Sequence, residues 1–416
     1  NMADPDHWVN PLRGYAYDSF SADALATATT KEGTVSFAPK TSYALLVLPQ
    51  KHPLTTNDAF MSLETLAQFV KLVKEGATLL IGEKPVYSAG KGDSQTVKAL
   101  AGELWDGSFE TVTDGRASYQ LKKLGKGRVV KTPFQPGTFD KLGIQSDMIV
   151  TEPTGTYAKD IAWTHRVDGQ TDIYFLSNQQ PTRRELSLSF RITGKLPELY
   201  DAVTDELIDA RQWISQNGRT QLTLRLEPNA SLFVIFRNPS GQPTSSGKNW
   251  VEPTPVTTLD GLWQVQFDPQ FGGPKQPQTF AKLTDWSQHP DSSIRYYSGT
   301  ATYTKTINWV PVAGRKKQQR TWLELGQLAN IADVKVNGKS CGIVWTAPFH
   351  VELTNRLKKG VNTIRIDVSN TWANRLIGDQ ALPESKRITN TTAPFRLGGK
   401  PLEKAGLLGP VRILVE

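Results

Sequence analysis

Apolar residues recur at helical spacing only in the first third of this chain; beyond about residue 155 they alternate. That switch of period, from 3.6 to 2, separates an α/β region from an all-β one. In the first region, residues 43–48 read as a short apolar strand. Ser62 can cap a helix in which Leu63, Leu66, Ala67, Val70 and Val73 share one face, and Gly76 stops it. Residues 78–81 read as a second buried strand. Strand, helix and strand in that order imply a parallel pair with a right-handed crossover. A second helix is expected over 95–105 with Ser94 as its cap, and strands at 109–112 and 128–130 finish the region.

In the second region, residues 161–165 and 172–177 flank Asp168-Gly169, a hairpin signal. Residues 186–192 and 221–226 alternate and 231–236 form a buried run, so a small sandwich is expected. The stretch 238–255 is rich in Pro, Gly and Ser and reads as the clearest linker. Alternation returns at 301–307, 321–325, 334–345 and 363–368. Asn337-Gly338 is the strongest turn signal in the chain, of type I′. Ile364, Ile366 and Val368 face one way, Arg365 and Asp367 the other, and strands of this spacing with long loops suggest a jelly-roll.

The 416 residues allow roughly three domains. The expected fold class is multidomain, α/β plus all-β. Residues 1–154 form an α/β domain of flavodoxin- or amidotransferase-like architecture and 155–240 a small β-sandwich. Residues 241–255 are a linker and 256–416 a galactose-binding-like β jelly-roll. The longest apolar run, 43–49, is far short of the ~18 residues of a membrane helix, so no membrane partner is expected. Residues 1–14 contain no apolar signal-peptide core. Asn1 ahead of Met2 is read as a remnant, with Met2 opening the segment. The net charge of +8 raises the question of nucleic acid. Yet the densest basic stretches, 122–131 and 315–320, carry no interleaved aromatics and read as solvated loops, so no nucleic-acid partner is expected.

The usual catalytic signatures are missing. There is no GxSxG, P-loop, GxGxxG after a strand, or HExxH. The five histidines have no ligand spacing, and no EF-hand spacing occurs, so no metal site is expected. Cys341 is the single cysteine, which excludes an intrachain disulfide and a CxxC-type zinc site. An amidotransferase needs a cysteine nucleophile on an elbow, and Cys341 sits in a hairpin strand of another region, so that activity is not expected. The 40 acidic residues include no motif that marks an acid/base pair, so no catalytic residue is assigned.

The most chemically suggestive stretch is 370–379, which places an indole, amides, a guanidinium and a carboxylate within ten residues. Indole faces stack on the C–H faces of sugars, and Asn, Arg and Asp bond vicinal hydroxyls. Trp372, Asn374, Arg375 and Asp379 are therefore candidate carbohydrate-binding residues. The structural alternative is that Arg375 and Asp379 pair with each other, Asn370 satisfies a turn and Trp372 plugs the sandwich end. A second candidate is the hairpin 163–178, where His165, Arg166 and Asn178 line a cleft or serve structural hydrogen bonds. Trp345 reads as core or as an aromatic platform. Asp285-Trp286 and Tyr296-Tyr297 read as sandwich packing.

Several blocks together resemble a known family. They are YDSFSADAL (17–25), YALLVLP (43–49), HRVDGQTDIYFLSNQ (165–179) and GKLPELYDAVTDE (194–206). YYSGTATYTKTI (296–307), the long block 323–379 that ends in NRLIGD, and LLGPVRILVE (407–416) continue the series. Their order resembles the C-terminal half of glycoside hydrolase family 106, the α-L-rhamnosidases, over nearly the whole chain. The last block is also similar to the sugar-binding jelly-roll of family 2 glycosidases. The resemblance implies inverting hydrolysis of terminal α-L-rhamnose from plant glycans, with a calcium ion and two glutamates in an N-terminal (β/α)8 barrel. It also implies a periplasmic or secreted parent enzyme. No barrel of ~250 residues fits ahead of Tyr17, and the catalytic glutamates and calcium ligands have no matching positions.

The expectation is thus an accessory C-terminal region of a rhamnosidase-like enzyme. It would be inactive alone, with the barrel as its partner in cis or trans and a rhamnose-containing glycan as its ligand. The alternatives are a stand-alone carbohydrate-binding protein and an interaction protein without ligand.

Overall fold

The computed structural model describes residues 14–37, 41–48, 59–90, 93–114, 117–131, 139, 142–311, 320–392 and 399–416. The N-terminal stretch with Asn1 and Met2, and most of the basic stretch 315–320, lie outside those residues.

The first unit is a mixed sheet with strand order Leu46–Val47, Thr78–Leu80, Gly127–Lys131, Ala117–Leu124, Glu110–Asp114. The first three strands run parallel, as a strand–helix–strand unit requires, and the last two add as antiparallel hairpins. The expected single strand at 43–48 is split. Thr41–Tyr43 pairs in a small three-stranded sheet, and Leu46–Val47 enters the main one.

The helix Leu63–Glu75 is capped by Ser62, whose hydroxyl accepts from Thr65 N at 3.2 Å. It ends at Gly76 with φ +135°. Its buried face is Leu66, Phe69, Val70, Leu72 and Val73, while Ala67 is exposed. The bulky Phe69 takes the place in the core that the 3.6 pattern offered to Ala67. The second helix, Ser94–Trp105, is capped one residue earlier than expected. Asp93, not Ser94, accepts from Gln95 N and Thr96 N at 3.0 Å each, which leaves Ser94 as the first helical residue. Gly127 sits where two chain segments cross; a Cβ there would lie 2.1 Å from Val73 O and 2.3 Å from Ala77 O.

The second unit is a sandwich of two five-stranded antiparallel sheets. One has the order Met148–Thr151, Arg184–Phe190, Arg219–Leu226, Trp213–Gln216, Thr244–Ser245. The other has Ile161–Asp168, Thr171–Asn178, Ser231–Pro239, Lys195–Asp201, Glu206–Asp209. Leu186, Leu188, Phe190, Leu222, Leu224, Tyr174, Leu176, Val234 and Phe236 alternate into a shared core. The Asp168-Gly169 turn closes its hairpin with Asp168 opposite Thr171.

The stretch read as a linker is anchored. Thr244 and Ser245 pair with Ile214 and Trp213. The Asn249 side chain is buried: its oxygen accepts from Arg211 N and Gln212 N, and its nitrogen donates to Gln212 O and Thr223 O. Five residues later Thr254–Thr258 pairs with Arg412–Val415 at the end of the chain.

The third unit is a second sandwich. Its six-stranded sheet runs Gln278–Phe280, Trp263–Gln266, Thr300–Trp309, Gly360–Ser369, Ile331–Val336, Lys339–Val344. Its four-stranded sheet runs Thr254–Thr258, Arg412–Val415, Thr321–Glu324, His350–Glu352. Asn337 and Gly338 both have positive φ, +52° and +78°, as a type I′ turn demands. Trp286 and Tyr297 are fully buried; Trp286 Nε1 donates to the Tyr303 hydroxyl at 2.6 Å, and Tyr297 OH donates to Thr300 O at 2.8 Å. Arg320 of this sandwich donates to Glu206 of the preceding one at 2.6 Å.

Candidate functional site

The loop that leaves the strand Gly360–Ser369 is built from the inside outward. Asn370 accepts from Gly299 N and donates to Tyr297 O, both at 2.9 Å, so it fixes the exit of the strand. Thr371 Oγ1 donates to the Glu403 carboxylate at 2.8 Å. The short helix Ala373–Gln380 follows.

Of the four residues singled out in this loop, three are turned inward. Asn374 grips Glu403 from both sides, donating to its carbonyl at 2.7 Å and accepting from its N–H at 2.8 Å. Arg375 Nη2 meets Asp379 Oδ1 at 2.7 Å, one helical turn on. Asp379 Oδ2 accepts from Ile388 N, Thr389 N and Thr389 Oγ1 at 2.7 to 3.0 Å. Their polar atoms hold the segments around 388 and 403 to the helix. Trp372 does the reverse: its side chain is 77% exposed.

A second indole emerges at the same end of the sheet. Trp345 follows the strand Lys339–Val344 and is 56% exposed, so it is a surface residue and not core. The register sets its neighbours. Ala332 pairs with Val344, the residue before Trp345, and Ile331 pairs on the other side with Ser369. Ser369 in turn pairs with Thr300. One transverse row on the outer face therefore reads Ile331, Ser369, Thr300. The next reads Ile343, Asp333, Asp367, Thr302. Ile331 and Ile343 are both exposed.

The hairpin residues are not gathered into one cleft. Asn178 is buried at its far end, where it donates to Thr182 O and Glu227 O and accepts from Gln180 N. Arg166 is exposed and donates to His165 O at 3.3 Å. His165 lies between two carboxylates, Nδ1 at 2.8 Å from Asp147 Oδ2 and Nε2 at 3.1 Å from Asp172 Oδ1. Its ring stacks on Tyr174 with centroids 4.0 Å apart, and the Tyr174 hydroxyl donates to Asp147 Oδ1 at 3.0 Å. Lys195 Nζ sits 2.7 Å from Asp172 Oδ2.

A neutral imidazole donates from one nitrogen only, so bonding both carboxylates as a donor requires the protonated ring. Burial disfavours that charge, but the hydrogen bonds and charges of Asp147 and Asp172 outweigh it and raise the His165 pKa. Burial likewise opposes the Asp147 charge. It is overcome by the His165 hydrogen bond and charge, the Tyr174 hydroxyl and Arg191, so the Asp147 pKa falls. Sequence reasoning found His165 but not its partners. Asp147 is 18 residues away in a loop, and no spacing rule links the two.

An open cavity of about 1340 Å³ adjoins Asp147 and Arg191 and is lined mainly by the first unit, including Tyr17, Phe20, Leu46 and Phe69. Among the described residues, no three or more His, Cys, Asp or Glu are grouped so as to hold a metal ion. No helix among them is long and apolar enough to cross a membrane.

Comparison with known proteins adds the following. A family model described as alpha-L-rhamnosidase, glycosyl hydrolase 106, matches residues 5–212. A model described as glycosyl hydrolase 2 galactose-binding domain-like matches residues 284–398. The solved structure of a rhamnosidase from Novosphingobium sp. PP1Y superposes with a TM-score of 0.78 at 30% identity, covering 97% of this chain and 36% of that one. A protein of Formosa agariphila named "Putative beta-glucuronidase" is 36% identical over 44% of this chain and 17% of its own length. A Ruminococcus gnavus beta-glucuronidase structure aligns at 22% identity over 27% of this chain and 20% of that one, with a TM-score of 0.23. The chain thus spans about a third of the rhamnosidase's length and about a sixth of the Formosa protein's.

Proposed function

We propose, for a chain that belongs to the glycoside hydrolase 106 family of α-L-rhamnosidases, that these three units are an accessory region acting beside a separate catalytic domain. The chain is glycoside hydrolase-like and carries a galactose-binding-like domain. The observation that carries the proposal is the match of 97% of this chain to 36% of a rhamnosidase chain, by sheets that form sandwiches and one mixed sheet. Among the described residues, no sheet closes into a parallel eight-stranded barrel.

The cavity beside Tyr17 and Phe20 and the exposed, stacked pair Phe60 and Tyr87 support a docking face for a catalytic barrel on the first unit. Trp372 supports contact between the last unit and a rhamnose-containing glycan. Asn374, Arg375 and Asp379 act in this reading by holding the loop that presents it. His165 and Asn178 brace the middle sandwich, and Arg166 stays at its surface. The catalytic glutamates and calcium are assigned to the catalytic domain, and the whole enzyme to the periplasm or the exterior, on the family resemblance.

The test is direct. The purified 416-residue chain, given an aryl α-L-rhamnoside and calcium, should show no turnover. Turnover that follows the monomer through a final purification step would overturn the proposal.

A further inference from the structure

We infer that the outer face of the middle sandwich's second sheet is a docking surface for a second copy of this chain, paired about a two-fold axis that runs along the strands. The dimer stands apart from the accessory reading and does not depend on it.

The register lays out this face. Thr164 pairs with Phe175, Phe175 with Phe233, Phe233 with Tyr200 and Tyr200 with Leu207, one row across all five strands. The next row reads Arg166, Ile173, Ile235, Glu198, Asp209. Strand residues alternate between faces, and Tyr174, Leu176, Val234 and Phe236 already fill the core. The sheet is therefore apolar on both faces at its centre. The outward rings touch: the Phe175 and Phe233 centroids lie 4.9 Å apart, those of Phe233 and Tyr200 5.8 Å. Among the described residues, Phe175, Phe233, Ile173 and Ile235 join none of the hydrophobic cores, and each is partly exposed.

A sheet face that meets only water is polar at its outward positions. The other sheet of the same sandwich follows that rule. Its outward rows hold Thr151, Ser187 and Thr223, then Ser189 and Gln221, with Ile149 and Ile214 at the flanks. Rings and isoleucines at the middle of the second sheet mark a surface built to be covered. The third unit leaves it open: its Arg320 reaches this sheet at Glu206, which alternates to the face opposite Leu207.

The charges select the occupant. The isoleucine row begins at Arg166 and ends at Asp209, both exposed and neither ion-paired among the described residues. Glu198 between them is 4% exposed and already neutralised by Arg237, Nε at 2.8 Å and Nη2 at 2.9 Å. Turning a second copy about an axis along the strands reverses each row. Ile235 and Phe233 then meet their own equivalents, and Phe175 meets Tyr200. Arg166 of each copy meets Asp209 of the other, so symmetry forms the ion pair twice. Two sheets stacked with their strands nearly aligned is the ordinary packing of sandwiches. Five strands at ~4.8 Å and eight residues at ~3.3 Å give a face of roughly 600 Å². A stable interface takes roughly 800 Å² from each partner, so this dimer is weak and concentration-dependent.

The experiment is sedimentation velocity of the 416-residue chain, whose single-chain mass is 46.0 kDa. Between micromolar concentration and about 200 µM, the range a weak interface populates, the mass should rise toward two chains. Phe233→Lys should raise the dissociation constant about tenfold or more. Arg166→Asp and Asp209→Arg should each raise it about tenfold, and the two together should restore it to within about threefold of the unaltered chain, because each reversed charge then meets a reversed partner. Arg166 and Asp209 are exposed, so their variants should keep the unaltered thermal midpoint and stay readable where Phe233→Lys does not fold. A chain that remains one copy throughout this range overturns the inference and leaves the face to a different protein. A dimer that the single variants do not weaken, or that the double variant does not restore, also overturns it.

Discussion

Arg375 and Asp379 face each other across one helical turn, Nη2 to Oδ1 at 2.7 Å, with both side chains almost wholly out of water. The pair closes a helix of eight residues against the segment around 388, because the second oxygen of Asp379 takes three donors from Ile388 and Thr389. Neither charge has water to fall back on. Removing one partner strands the other, whereas replacing both need not.

Asp379→Ala should therefore destabilise the third unit by about 3–5 kcal/mol, and Arg375→Met with Asp379→Leu by clearly less. Denaturant unfolding of the two variants beside the unaltered chain measures this. Equal losses in the single and double variants would show that the lost backbone caps, and not the stranded charge, set the cost.

The middle sandwich should weaken as the solution becomes alkaline. The folded-state pKa of His165 lies above its ordinary 6.5, so its stabilisation is fully present below that value and is lost as pH rises through the folded pKa. Asp147 works in the opposite direction: its folded pKa is depressed, so its contribution is present above about 3.8 and fades as pH falls through the folded pKa. Thermal midpoints measured across neutral pH should fall for the native chain, and the fall should flatten in His165→Gln. A His165 imidazole titrating below 6.5 by NMR would contradict this.

Gly127→Ala should cost more than about 4 kcal/mol or prevent the first unit from folding. The new carbon would meet two backbone oxygens that cannot swing aside, Val73 O at 2.1 Å and Ala77 O at 2.3 Å. Gly155→Ala is the contrasting case. Its φ is +86° but nothing lies within 4 Å, so the cost should be roughly 1–2 kcal/mol of backbone strain. Unfolding curves of the two variants should separate clearly.

Asn249→Ala should loosen the connection between the two sandwiches. It leaves Arg211 N, Gln212 N, Gln212 O and Thr223 O without their side-chain partner, at a cost of about 2–4 kcal/mol. Limited proteolysis should then cut within 240–253 much faster than in the unaltered chain. An unchanged cleavage pattern would mean that the strand pairing of Thr244 and Ser245 suffices.

What was legible in the sequence was chiefly local. Ser62, Gly76 and Asn337-Gly338 act through backbone geometry a few residues wide, and each appears where its chemistry predicted. Arg375 and Asp379, spaced one turn apart, could be read as a pair for the same reason. The helical face is less fully determined by spacing. Ala67 and Phe69 both fit an apolar stripe, and which one is buried depends on what packs against the helix. Trp345 was ambiguous because an indole after a strand looks the same whether the next layer covers it or not. The links from His165 to Asp147 and from Asn249 to Arg211 could not be seen, since they form only once distant strands have been laid side by side.

The anchored stretch at 241–255 also governs how these units could be exchanged between proteins. A graft that takes the last sandwich from residue 241 onward would carry Asn249 away from the four backbone groups it satisfies and leave a wound in the donor's middle sandwich. The natural seam for shuffling lies just ahead of the strand that opens at Thr254, since Val251 O and the Glu252 carboxylate still accept from Arg225 of the middle sandwich.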